Sequence, residues 1–154
     1  MDLSRIIRPD AIKVVSSVTS KKRLLQDLAD IAGQSYGLAP QDAVEALIER
    51  EALGPTGVGN GIALPHARLT KLDRVVGVFM RLEKAIDFDS VDRQPVDLVF
   101  ALFAPAEAGV DHLKALALVS RTMRQASVCD KLRSNNDAAT LHAVLTEAPA
   151  SEAA

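Results

Sequence analysis

The chain has 154 residues, 48% of them apolar, and a formal net charge of −2. That length and apolar content suffice for one globular domain without disulfides or a structural metal, and the near-balanced charge argues against the basic face that binding many nucleic-acid phosphates demands. A single cysteine, Cys129, offers neither an intrachain disulfide nor a four-ligand metal site. No apolar run approaches the ~20 residues of a membrane span, and Met1-Asp2-Leu3-Ser4-Arg5 is not followed by the apolar stretch of a secretory signal; a cytoplasmic chain with no membrane insertion is expected.

Ser20 is placed to cap a helix whose residues Leu24, Leu25, Leu28, Ile31 and Ala32 share one face, with Gly33 as its stop and Lys21-Lys22-Arg23 at its exposed start. Pro40 opens a second helix with Val44, Leu47 and Ile48 as its buried stripe; Gly54-Pro55 ends it, leaving Arg50 in or near the last turn. Next come four glycines and two prolines around one histidine, from Gly54 to His66. Glycine permits positive φ and close approach, and proline restricts itself and its predecessor, so His66 is expected on a rigid, thinly covered loop, delivered by a short strand over 62–64. The runs 75–80 and 96–103 read as strands covered on both faces. Between them Ile86, Phe88 and Val91 are spaced for a shorter, more exposed strand, with Asp87, Asp89 and Asp92 facing water.

Asp111 is expected to cap a long helix carrying Leu113, Leu116, Ala117, Ser120 and Met123 on one face, which puts His112 in its first turn. Two shorter helices follow, around Val128 and Leu132 and around Leu141, Val144 and Leu145. Helices before and after a set of strands predict a single-domain α/β sandwich, a central mixed sheet with helices on both faces, spanning 1–147 and followed by a mobile tail over 148–154.

Several glycine and ligand motifs fail by position. Ile62 stands where a dinucleotide-binding pattern over 57–62 needs its third glycine, and Asn60 and Gly61 stand where a P-loop needs Lys and Ser or Thr. No His-x-x-x-His, Cys-x-x-Cys or Gly-x-Ser-x-Gly spacing occurs, and no cofactor is expected. What remains is His66, largely neutral at pH 7 with one free lone pair. Phosphoryl transfer asks a protein for alignment and donors, from glycine-rich backbone, a helix N-terminus or an arginine. The loop residues Gly57, Gly59, Asn60 and Gly61, the helix start at His112, and Arg50 are the candidates. By residue type alone a histidine such as His66 is more often a surface side chain, an arginine such as Arg50 more often a helix-end cation, and a histidine such as His112 more often a helix-start filler.

The segment Gly57-Val58-Gly59-Asn60-Gly61-Ile62-Ala63-Leu64-Pro65-His66 resembles the active-site segment of the mannitol/fructose-class enzyme IIA domains of the bacterial phosphotransferase system. The resemblance continues through Arg50-Glu51, Gln94-Pro95-Val96-Asp97-Leu98, Ala104-Pro105 and His112-Leu113, and is strongest toward the nitrogen-regulatory branch of that family; Pro55 departs from the serine or alanine expected there. It implies that His66 accepts a phosphoryl group from a histidine phosphocarrier protein, that Arg50 helps hold the phosphate, and that His112 supports the acceptor. It further implies regulatory targets such as potassium-transport or sensor-kinase components. Two other readings stay open: a sugar-specific enzyme IIA that feeds an enzyme IIB, and a binding module whose His66 is never phosphorylated. His142 has no counterpart role and is expected on the surface.

Overall fold

In the computed structural model, which describes residues 2–107 and 109–147, the two apolar runs become the spine of the sheet. They form β5 (Val76–Ile86) and β6 (Val96–Pro105), paired antiparallel. In β6, Val96 and every residue from Leu98 to Ala104 are buried, as a strand covered on both faces requires. The remaining strands are β1 (Ile7–Val15), β2 (Gly57–Gly59), β3 (Ile62–Ala63) and β4 (His66–Leu69), in the order β1-β5-β6-β3-β2 with β4 also on β6. The β1/β5, β3/β6 and β4/β6 pairs are parallel and β2/β3 is antiparallel. With α1 (Lys21–Tyr36), α2 (Pro40–Ala52), α3 (Val110–Met123), α4 (Ala126–Arg133) and α5 (Ala138–Glu147), this is the expected α/β sandwich. The tail 148–154 lies outside the described residues, and no described helix is long and apolar enough to cross a membrane.

Ser20 caps α1 through a 3.0 Å bond from the Arg23 amide to its hydroxyl. The helix does not stop at Gly33: it runs on to Tyr36 and ends at Gly37 in the left-handed conformation (φ 73°). Gly33 serves packing instead, since a Cβ there would lie 2.9 Å from Pro40 Cγ, so its bare backbone lets the start of α2 approach. In α2, Ala43, Val44 and Leu47 are buried, while Ile48, expected inside, is 38% exposed.

Four expectations are corrected further along the chain. No strand is built around Ile86, Phe88 and Val91: Ile86 ends β5, Phe88 is fully buried in the segment after it, and Val91 is 69% exposed. Helix α3 starts from Gly109 (φ 53°) with no side-chain cap, so Asp111 sits in the first turn. Its covered face is His112, Ala115, Val119, Thr122 and Met123, and Leu113 points outward. His142 on α5 is half-buried, with Nε2 3.1 Å from the Ile7 carbonyl, tying α5 to β1 instead of facing solvent.

Candidate active site

Strands β3 and β4 lie along one edge of β6 in a single register, Ile62 opposite Leu98 and His66 opposite Leu102, interrupted only at Leu64-Pro65. Proline has no N–H to give the ladder, although its carbonyl still accepts from the Leu102 amide at 2.9 Å. At this break the Leu64 carbonyl lies 2.9 Å from Nδ1 of His66. His66 is therefore the first residue of a strand, half-buried, and not a side chain on a thinly covered loop.

The Leu64 carbonyl only accepts, so Nδ1 of His66 carries the ring proton. Arg50, in the last turn of α2, donates from Nε to His66 Nε2 at 3.3 Å and from Nη1 to the Gly54 carbonyl at 2.9 Å. Arginine has no acceptor, so both contacts specify the same tautomer, with the free lone pair on Nε2. The hold on Arg50 is relayed from the neighbouring turn: the Glu51 carboxylate pairs with Lys21 at 2.8 Å and accepts from both the Thr56 amide and the Thr56 hydroxyl.

His112, in the first turn of α3, brings its ring to 5.6 Å from that of His66, edge to face. Its Nδ1 accepts from Arg68 Nε at 3.2 Å, which leaves the proton on Nε2, a buried atom with no hydrogen-bond partner among the described residues. An orphaned buried donor costs roughly 1–3 kcal/mol. Arg50, His66, Arg68 and His112 line an open cleft of about 590 Å3 together with Ala46, Glu49, Leu53 and Ala67. The cleft thus holds the His66 Nε2 lone pair, two guanidinium groups, one unsatisfied N–H and the positive end of a helix, with the exposed Glu49 carboxylate at its rim: a set of donors able to receive an anion beside a nucleophilic nitrogen.

Both imidazoles are held below the ordinary histidine range. For His66 burial is the main cause, opposed by the Leu64 carbonyl, then reinforced by Arg50 and opposed by Glu51; for His112 burial is again first, followed by His66 and Arg68. Titration of the ring C–H resonances is expected to give midpoints below ~6.5 for both rings. Below that pH the unfolded chain binds more protons than the folded one, so these two groups lower stability as pH falls. A midpoint at or above ~6.5 for either ring would contradict the burial described.

Sequence reasoning placed Arg50, His66 and His112 together, and the structure brings these three into one cleft. Gly57, Gly59, Asn60 and Gly61 do not line it. They form the β2–β3 hairpin, whose turn has Asn60 at φ 58° and Gly61 at φ 79°, the pair of positive values for which Asn-Gly is the preferred sequence. A Cβ on Gly61 would meet Asp97 Oδ1 at 2.9 Å, and Asp97 is itself held in a two-point bond by Arg133, which also reaches the Asn60 carbonyl at 2.8 Å. The amide of Asn60 is committed to Asp92 at 3.0 Å. Arg68 was missed, although its spacing of two from His66 on a strand is a signal that it shares the face of that histidine. Among the described residues no group of three His, Cys, Asp or Glu stands close enough to hold a metal ion.

Residues 5–148 match the family model described as the phosphoenolpyruvate-dependent sugar phosphotransferase system, EIIA 2. A nitrogen regulatory protein of Bradyrhizobium diazoefficiens is 46% identical over 99% of this chain and 100% of its own length. A fructose-specific EIIA component of the phosphotransferase system from Haloferax volcanii is 34% identical over 95% of this chain and 96% of its own. Among solved structures, the nitrogen regulatory protein IIA-Ntr from Neisseria meningitidis superposes with a TM-score of 0.86 at 33% identity, covering 92% of this chain and 97% of the other.

Proposed function

The chain belongs to the phosphoenolpyruvate-dependent sugar phosphotransferase system EIIA 2 family, and on that footing we propose that it is a phosphohistidine carrier of the nitrogen-related system. It takes a phosphoryl group on Nε2 of His66 from a histidine phosphocarrier protein and regulates partner proteins through its phosphorylation state, with potassium-transport and sensor-kinase components as the kind of target. The likeness to nitrogen regulatory proteins supports the regulatory part. The observation that carries the chemistry is the complementary pair of imidazoles, the lone pair of His66 beside the unpartnered Nε2–H of His112.

In the step itself the Nε2 lone pair attacks phosphorus, a P–N bond forms, and the donor's P–N bond breaks with its electron pair returning to the donor ring. The His66 ring becomes cationic, its proton staying on Nδ1 and hydrogen-bonded to the Leu64 carbonyl. The transferring group keeps its charge on three oxygens, so catalysis is positioning and charge stabilisation; Arg50 moves its donor from the lone pair to a phosphoryl oxygen, and His112 Nε2–H gains the acceptor it lacks. The glycine hairpin acts behind the cleft by holding β3, the strand that leads into Leu64.

Incubation with phosphoenolpyruvate and the general phosphotransfer proteins should add one phosphoryl group, acid-labile and alkali-stable, mapping to His66. No mass increase would overturn the carrier assignment in favour of a binding module. His112→Gln, which keeps a donor of similar reach, should still be singly phosphorylated at His66 at an altered rate, and His112→Ala should be slower; phosphate found on residue 112 of the unaltered chain, or rates unchanged in both variants, would remove His112 from this role. A second reading, favoured by the likeness to a fructose-specific EIIA component, has the group pass to an enzyme IIB in sugar uptake. Loss of the phosphoryl group on adding a fructose-type IIB separates the two.

A further inference from the structure

We propose that Arg68 is a positioning residue for phosphoryl transfer: by donating to Nδ1 of His112 it holds that ring in the tautomer that presents Nε2–H to the arriving group. This rests on the carrier reading above.

The argument starts from strand geometry. Residues two apart on a strand point the same way, so β4 directs His66 and Arg68 to one side, where α3 supplies His112. The Nε of Arg68 meets His112 Nδ1 at 3.2 Å. Among the described residues this is the one side-chain hydrogen bond Arg68 makes, and it forms no ion pair there. An exposed arginine with carboxylates elsewhere on the surface thus directs its polar contact at a buried, neutral ring.

The contact has a chemical consequence. Neutral imidazole carries one proton and must choose a nitrogen. Protonation at Nδ1 would set that N–H against the N–H of Arg68, and would leave a lone pair on Nε2, aimed at a group whose oxygens gain negative charge. With Arg68 donating, both penalties fall on the wrong tautomer. The two rings of the cleft are then locked in opposite tautomers by different means, His66 by a backbone carbonyl and His112 by a side chain, so that one supplies the attacking lone pair and the other the receiving N–H.

The test uses the unphosphorylated chain labelled with nitrogen-15 in its histidines, together with the rate of phosphorylation by the carrier. In the unaltered chain both His66 and His112 should show the Nε2 and Nδ1 shifts of single, opposite protonation assignments: Nδ1–H for His66 and Nε2–H for His112. In Arg68→Leu the His112 signals should move toward a mixture of tautomers while those of His66 stay fixed, which also reports that the fold is intact. Transfer should slow about tenfold, the order expected for one misdirected hydrogen bond in the transition state. Arg68→Lys, which returns a donor of comparable reach, should restore both readouts. An unmoved His112 spectrum in Arg68→Leu, whatever the rate does, overturns the role of Arg68. Because the tautomers are read without phosphate, failure of the unaltered chain to accept a phosphoryl group would count against the carrier reading and is distinguishable from that result.

Discussion

His66→Ala is expected to take up no phosphoryl group, with transfer falling to background, because the variant deletes the Nε2 lone pair that lies 3.3 Å from the Arg50 guanidinium in the cleft. The fold should survive. His66 is half-buried and its ring holds a single backbone bond, to the Leu64 carbonyl, whose loss costs ~1 kcal/mol and moves the thermal midpoint by a few degrees at most. Intact-mass measurement after incubation with the donor system decides it. A mass increase equal to that of the unaltered chain would place the acceptor elsewhere and send the search to His112 and His142.

Arg50→Lys should slow transfer by roughly 10- to 100-fold, the equivalent of the 1.5–3 kcal/mol carried by hydrogen bonds to a charged group. The guanidinium spans two jobs at once, holding the Gly54 carbonyl with Nη1 while Nε faces His66. An ammonium keeps the charge but is a point donor without the planar fork, so it cannot brace the loop and meet a phosphoryl oxygen in fixed geometry. The initial rate of phosphorylation by the carrier is the measurement. A rate equal to the parent chain would reduce Arg50 to a cation complementing the end of α2.

Features written in short range were legible in the sequence. The Ser20 cap, Pro40 at the start of α2 and Arg50 in its last turn each depend on a few neighbouring residues, and they stand where the sequence placed them. The strand β1 was illegible because its own residues argue against it: Pro9, Asp10 and Lys13 interrupt the apolar pattern, and the strand exists through pairing with β5, with a register shift between Ile7 and Ile12. The face of α3 was misjudged because two apolar stripes compete along it. The sheet covers Ala115 and Val119, leaving Val110 and Leu113 exposed. Gly33 reads alike as a stop and as a contact point, and only the position of Pro40 tells them apart. The three site residues emerged from a resemblance covering nearly the whole chain, whereas Arg68 needed the strand assignment of β4 before its direction had meaning.

The break at Leu64-Pro65 bears on how this molecule can change over generations. The Nδ1 proton of His66 is pinned by a peptide oxygen, and every amino acid that might replace Leu64 brings the same oxygen, so no exchange of side chain at that position removes the carbonyl that receives the bond. The proton of His112 hangs on one guanidinium, which a single substitution can take away. Mutation therefore has unequal leverage on the two rings: the tautomer of His66 is sheltered from drift, while that of His112 lies open to change through one exposed residue.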